Sequence, residues 1–286
     1  MPPGVPRDSG PHESCRWRGW IPDLGRSVLP HLMRHRSHLL AAIVSAALAA
    51  ALLCSGPASA GVYGGDTQQY DAFVLLSRPA SVRPKAFIVA VRATCASGEL
   101  LSLHRTYAMG DFSTVRLRSR GRFSAVRLQR TAWGALRLAI TGHIGPRRAD
   151  GTISATLSGA DRCRAGPLRW SAERARGLVY GGVTSQSEPI VIRRKGDRIG
   201  HVDVDWHADC TPEGFAHIPD GMTGFALDAA GGFDTTWSAT DETGRWDRSF
   251  AGDLTPTAGS GSFQVTLTRA ASACASPPVH WQVESG

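Results

Sequence analysis

Lysine is almost missing from this chain: of its 32 basic residues only Lys85 and Lys195 are lysine, and the rest are arginine. Together with abundant Ala and Gly, that imbalance is the codon bias of a GC-rich genome. The formal charge of +8 is therefore partly mutational and does not by itself announce a nucleic-acid partner. Catalytic signatures are missing too. There is no phosphate-cradling loop and no dinucleotide fingerprint. GSGSF at 259–263 holds its serine in the wrong frame for a nucleophile elbow, and no strand-to-helix turn follows. Asp241 and Glu242 with Asp247 could be imagined as glycosidase carboxylates, but they fall in an expected hairpin turn, where acids are solvated.

Long apolar runs are absent except for LLAAIVSAALAAALLC, Leu39–Cys54, which follows Arg34, His35 and Arg36 and precedes Ala58-Ser59-Ala60. A basic head, a short apolar middle and a small-residue exit form a secretory signal. The run is shorter than the roughly 20 residues a membrane span needs. We therefore expect a signal-peptide helix over 33–60, cleaved after Ala60, and no transmembrane span in the mature chain. Met33 is the expected initiator, leaving 1–32 as a miscalled or disordered extension. Lipid attachment at Cys54 is opposed by Leu53 before it, and an uncleaved anchor is the other alternative. Export makes Cys95, Cys163, Cys210 and Cys274 disulfide candidates.

What is present is a repeat. YGGDTQQYDAFVL from Tyr63 matches YGGVTSQSEPIVI from Tyr180, and VRATC ending at Cys95 matches WHADC ending at Cys210. RGRF ending at Phe123 pairs with AGGF ending at Phe233, Gly142 with Gly252, and GTISATL from Gly151 with GSFQVTL from Gly261. Cys163 precedes Trp170, and Cys274 precedes Trp281, by the same interval. The mature chain reads as a tandem duplication, 61–175 and 176–286, each unit large enough for its own core.

Neither unit has a helical period. Alternating runs broken by Gly, Pro, Asp and Ser predict strands near 71–77, 85–95, 100–107, 113–118, 122–130, 135–144, 151–158 and 167–173. In the second unit they fall near 188–194, 200–210, 223–228, 232–239, 245–254, 261–268 and 278–284, with turns at 219–221, 228–232 and 241–244. The expected fold is all-β: two tandem antiparallel β-sandwich or β-barrel domains, sequence alone not separating the two. Strand alternation places Phe87, Val89, Val91, Ala93 and Cys95 on one inner face, and Val202, Val204, Trp206, Ala208 and Cys210 on the other. Cys95 should then pair with Cys163 and Cys210 with Cys274, each bond contributing about 4 kcal/mol in the chain-entropy model. Cross-unit pairing is the alternative. Trp170 and Trp281 are read as core, with sugar stacking as the functional alternative.

In HVDVDWHADC, His201, Asp203, Asp205, His207 and Asp209 share the face opposite the cysteine. Residues two apart are about 6.6 Å apart along a strand, and His201, Asp203, Asp205 and His207 carry donors suited to zinc or manganese. The row does not match a helix-loop calcium site, since Ala208 and Gly214 stand where Gly and Glu are needed. The matching positions in the first unit, Ala86, Ile88, Ala90, Arg92 and Thr94, keep none of these donors. We take the row first as a solvated strand face, with a divalent-metal or substrate site as the alternative.

Charge divides unevenly. Residues 61–175 carry 18 basic against 7 acidic side chains, a net +11, and 176–286 carry 8 against 14, a net −6. Such fields can steer association of the halves, of chains, or of separate partners. Arg116, Arg118, Arg120 and Arg122, with Arg127, Arg130 and Arg137 nearby, are read first as a soluble, arginine-biased surface, with a polyanion-binding patch as the alternative. Few aromatics interleave them, which disfavours single-stranded nucleic acid.

The order YGG, central Cys, G-x-F, a Gly-bearing strand, then Cys and Trp over 61–286 resembles exported tandem β-domain proteins of GC-rich actinobacteria. That resemblance implies no activity and no functional residue. The reading is an exported, non-catalytic binding or structural module at the cell surface or outside, with no cofactor expected and a cell-envelope polyanion or a protein as partner. The alternative is a metal-dependent hydrolase using His201, Asp203, Asp205 and His207.

Overall fold

The computed structural model describes residues 61–78, 83–131, 133–159, 161–212 and 214–286, without the side chain of Phe215. The expected extension (1–32) and signal peptide (33–60) lie outside the described residues. Residues 61–175 supply β1 (Val62–Thr67), β2 (Ala72–Ser77), β3 (Pro84–Cys95), β4 (Leu100–Ala108), β5 (Thr114–Leu117), β6 (Arg122–Thr131), β7 (Gly134–Ile144), β8 (Arg148–Ser158) and β9 (Cys163–Glu173). They form one antiparallel sheet in the order β4-β3-β2-β1-β9-β8-β7-β6-β5, curled on itself where β3 also pairs with β9. Residues 176–286 supply β10 (Val179–Thr184), β11 (Pro189–Lys195), β12 (Arg198–Thr211), β13 (Gly214–Met222), β14 (Phe225–Ala226), β15 (Gly232–Asp241), β16 (Gly244–Leu254), β17 (Ala258–Thr268), β18 (Ala273–Ala275) and β19 (Val279–Ser285). Its order is β13-β12-β11-β10-β19-β17-β16-β15, closed by β18 lying between β12 and β17. Both sheets are thus barrel-like, and both belong to one compact unit.

The disulfides sit at the closures. Cys95 faces Cys163 and Cys210 faces Cys274 as direct strand partners, with Cα separations of 3.8 and 4.0 Å. Each unit carries its own bridge, and such bonds persist in oxidising surroundings. Inside, the alternation is as expected: Phe87, Val89, Val91 and Ala93 line one core, and Val202, Val204, Trp206 and Ala208 the other. Trp170 stacks on Phe73 at 4.5 Å, and Trp281 on Phe250 at 5.4 Å. Both indoles are buried, so the sugar-stacking alternative falls away. The matched glycines make room for them. Gly142 pairs across the ladder with Gly151, and Gly252 with Gly261. A Cβ on Gly142 would lie 2.5 Å from Trp170, and one on Gly252 2.4 Å from Trp281.

Besides the short β18, which falls between two expected strands, three strands depart from expectation. β1 and β10 are the YGG segments, which lay outside the expected strands. Tyr63 donates its hydroxyl to Gly145 O, and Tyr180 to Thr255 O, both at 2.9 Å, anchoring equivalent hairpins. The second glycine of each pair lies against the closing strand, where a Cβ would meet Ser171 O at 1.8 Å or Gln282 O at 1.9 Å. The third is β13, which runs through the expected turn at 219–221. It is an edge strand paired with β12 alone along this stretch, where Pro219 costs no ladder bond on its open side.

Candidate functional site

The two barrels meet through matching faces. The first glycine of each YGG points outward across the junction: a Cβ on Gly64 would lie 2.7 Å from Val191 and 3.1 Å from Val179, and one on Gly181 2.8 Å from Val74 and 3.0 Å from Val62. Val74 and Val191 are equivalent in the repeat, as are Val62 and Val179, so the contact is reciprocal in the manner of an isologous interface. Val62, Ala72, Val74, Ile88 and Val191 form its buried apolar patch.

Beside that patch each repeat builds the same device. The turns after β1 and β10 hold Tyr70 and Ser187 in the left-handed region, both at φ 65°. They close with Thr67 N–H on Asp71 O at 2.9 Å and Thr184 N–H on Glu188 O at 2.8 Å. Gln69 brackets the backbone of Arg92 with two amide hydrogen bonds of 3.0 and 2.9 Å, and Gln186 does the same to His207 at 2.8 and 3.0 Å. These clamps set a buried acid beside a base: Asp71 lies 3.2 Å from Arg92, and Glu188 lies against His207 Nε2. Acid matches acid in the repeat, and Arg92 matches His207.

The second device has been elaborated. Glu188, wholly buried, also faces His104 Nδ1 of β4 at 3.2 Å and His217 Nε2 of β13 at 3.5 Å. The rings of His104 and His207 are 4.3 Å apart between centroids, and those of His207 and His217 5.4 Å. Three imidazoles and one carboxylate, drawn from both barrels, converge there. Both Glu188 oxygens, His104 Nδ1 and both His217 nitrogens are buried and accept or donate no directional hydrogen bond. Burial pushes the Glu188 carboxyl up, but contacts with His207 and His217 and the fields of His217 and His104 outweigh it, leaving it below its ordinary value. Burial lowers His104, against the pull of Glu188, and favours its neutral ring. Asp71 is pushed up to about 6 by burial, opposed by Arg92.

Asp205 occupies the junction itself. Fully buried, it accepts the N–H of Ala72 at 2.9 Å across the barrels. Burial, with the nearby Asp71 and Glu188, drives its carboxyl well above the ordinary range. The equivalent pair on the other side is Pro189, which has no N–H, and Ala90, which has no acceptor; neither leaves a polar group behind.

The His201–Asp209 row is therefore not a solvated strand face, because barrel 1 covers its centre. Its members separate. His201 bonds Asp203 at 2.7 Å, and Asp203 also pairs with Arg193. The hydrogen bond that His201 donates to Asp203 raises His201, while His201 and Arg193 overcome burial to lower Asp203. Asp205 goes to Ala72, His207 to Glu188, and Asp209 is exposed. Among the described residues, the groupings of close potential ligands at the junction take Asp205 and His207 from the row but neither His201 nor Asp203. They add His104, Glu188 and His217, which the linear reading did not single out. One signal was available: Asp71 and Glu188 occupy the same place in YGGDTQQYD and YGGVTSQSE.

On barrel 1, Arg116, Arg118, Arg120 and Arg122 are all exposed, and none has a carboxylate partner among the described residues. Arg118, Arg120 and Arg122 rim one open depression with Ser124, Thr141, His143 and Asp150. The turn carrying them places Arg120 at φ 58° and Gly121 at φ 75°, closed by Arg118 N–H on Arg122 O at 2.8 Å. Arg127 is turned away, 3.4 Å from Asp111 and over the Tyr107 ring, so it does not join them. Arg130 and Arg137 lie toward the far end of the β6–β7 hairpin. Asp241 is exposed and Asp247 half-buried, and they are bonded to Thr243 and Arg245, interactions that lower both carboxyls and suit no general acid. Comparison with protein-family models, with curated proteins and with solved structures finds no match to this chain.

Proposed function

We propose that the chain is an exported, non-catalytic two-barrel module that works outside the cell, and that the arginine turn of barrel 1 is its binding face for an anionic cell-envelope polymer. The signal-like segment and the two closure disulfides support export. Aromatic side chains occupy both barrel interiors, so a ligand has to be met on a surface. The observation that carries the reading is the turn: Arg118, Arg120 and Arg122 stand exposed around one depression without carboxylate partners. Guanidinium groups held this way suit phosphate or other oxyanions spaced along a chain.

Three phosphate contacts make binding fall roughly 20- to 40-fold between about 50 and 200 mM salt. Retention of the full chain on a heparin or polyphosphate column, compared with an Arg118→Ala/Arg120→Ala/Arg122→Ala variant, tests this. We expect retention that collapses with salt and is lost in the variant. Flow-through of the unmodified protein at low salt, or equal retention of both proteins, overturns the reading.

A further inference from the structure

We propose that His104, Glu188, His207 and His217 form a zinc-type divalent metal site that fastens one barrel to the other. The proposal is independent of the arginine face and uses a different part of the molecule.

The donor set comes first. Three imidazoles with one carboxylate suit zinc and its first-row neighbours. Bonds of 2.0–2.1 Å in a tetrahedron separate ligand atoms by about 3.3 Å. His104 Nδ1 and His217 Nε2 stand 3.2 and 3.5 Å from Glu188 Oε1, the spacing of such an edge. The His207 contact is tighter and has to open slightly to admit an ion.

Burial is the second, independent observation. Glu188 is fully buried with both oxygens lacking a directional hydrogen bond, and both His217 nitrogens share that condition. Buried polar groups are normally satisfied, and here the carboxylate has only the three imidazoles around it. A cation at their convergence would satisfy them together. The Gln186 bracket on the His207 backbone and the turn closing on Glu188 O fix two ligands from behind, the role that supporting hydrogen bonds play around metal ligands.

Chain origin gives the consequence. His104 comes from barrel 1, and Glu188, His207 and His217 come from barrel 2. His104, Glu188 and His207 already form one close group and His217 joins Glu188 in another, so a shift of His217 toward the first group completes four protein ligands, which leave no open position and make the site structural. The equivalent place in the repeat holds Asp71 and Arg92, a permanent cation already bonded to its acid. One half of the duplication thus carries its positive charge covalently, and the other is built to take one from solution.

The test uses the full chain, stripped with chelator and dialysed. Titration with zinc should show one ion per chain, and cobalt(II) should give the visible absorption of a tetrahedral site. Glu188→Gln and His207→Ala should each weaken zinc by at least about 100-fold, whereas His201→Ala should leave it unchanged. Where those buried variants fail to fold, His104→Gln on the half-exposed barrel 1 side serves: it should keep the fold by near-ultraviolet circular dichroism yet lose the tetrahedral cobalt spectrum. Zinc should also raise the melting temperature of the unmodified chain and not that of His104→Gln. A folded chain that ignores zinc at micromolar concentration, or binding that survives Glu188→Gln, overturns the proposal and leaves a proton-sharing His–Glu cluster.

Discussion

Replacing Gly181 by alanine should loosen the two barrels from each other without damaging either. The added Cβ would lie 2.8 Å from Val74 Cγ1, 3.0 Å from Val62 Cγ1 and 3.2 Å from Val74 Cγ2. All three atoms belong to barrel 1, and carbon contacts prefer about 3.5–4.0 Å. Valine is stiff at χ1, and both valines are fully buried, so relief has to come from separation of the barrels by several tenths of an ångström. Over-packing of this kind costs about 1–3 kcal/mol, or roughly 2–12 °C for a chain of this size. Gly182→Ala is the contrast, since its Cβ would strike Gln282 O at 1.9 Å within barrel 2's own ladder. Thermal melts with limited proteolysis around Arg174–Leu178, the connection between the barrels, distinguish the cases. Gly181→Ala should melt earlier and be cut faster there while keeping the aromatic circular dichroism of both cores, and Gly182→Ala should lose part of that signal. An unchanged melt and cleavage rate for Gly181→Ala would refute the close-packed junction.

The disulfides close loops with sequence separations of 68 and 64 residues, so Cys95→Ser/Cys163→Ser should cost about 4 kcal/mol in the chain-entropy model. Urea unfolding reads this out, and a loss below about 1 kcal/mol would show that β3–β9 pairing closes the barrel unaided. Asp71 supplies a pH dependence. Its folded carboxyl near pH 6 against 3.8 unfolded means the folded state holds a proton that the unfolded state has released. Stability should therefore be greatest below pH 3.8 for this group and fall as pH rises to about 6, by roughly 3 kcal/mol. Asp71→Asn should remove that slope, and parallel curves for the two proteins would sink the assignment.

Much of this architecture could be read in one dimension. Alternation at Phe87–Cys95 and Val202–Cys210 fixed the inner faces, and with them the bridge partners, because a strand side chain has only two sides to choose from. The glycines at 142, 151, 252 and 261 align in the sequence, but their purpose, room for Trp170 and Trp281, depends on strands distant in the chain. The site was harder to see. A strand shows which residues share its second face but not what covers that face, so His207 and Asp205 looked solvated. His104 and His217 sit on neighbouring strands, paired with Ala90 and His207 respectively, and pairing across a duplication is not written in local spacing. Pro219-Asp220-Gly221 resembled a turn because local chemistry is blind to an edge strand with one open side.

The unequal exchange at Ala72 and Asp205 makes the halves discriminating. Placed face to face by the same geometry, two copies of barrel 1 would each press an amide against Ala90. Two copies of barrel 2 would each press a buried carboxyl against Pro189. Every orphan of that kind costs about 1–3 kcal/mol, counted twice per like-with-like encounter, whereas in the unlike encounter the Ala72 amide and Asp205 Oδ2 satisfy each other. The two halves thus carry, in a single amide and a single carboxyl, the means to refuse their own kind and accept each other.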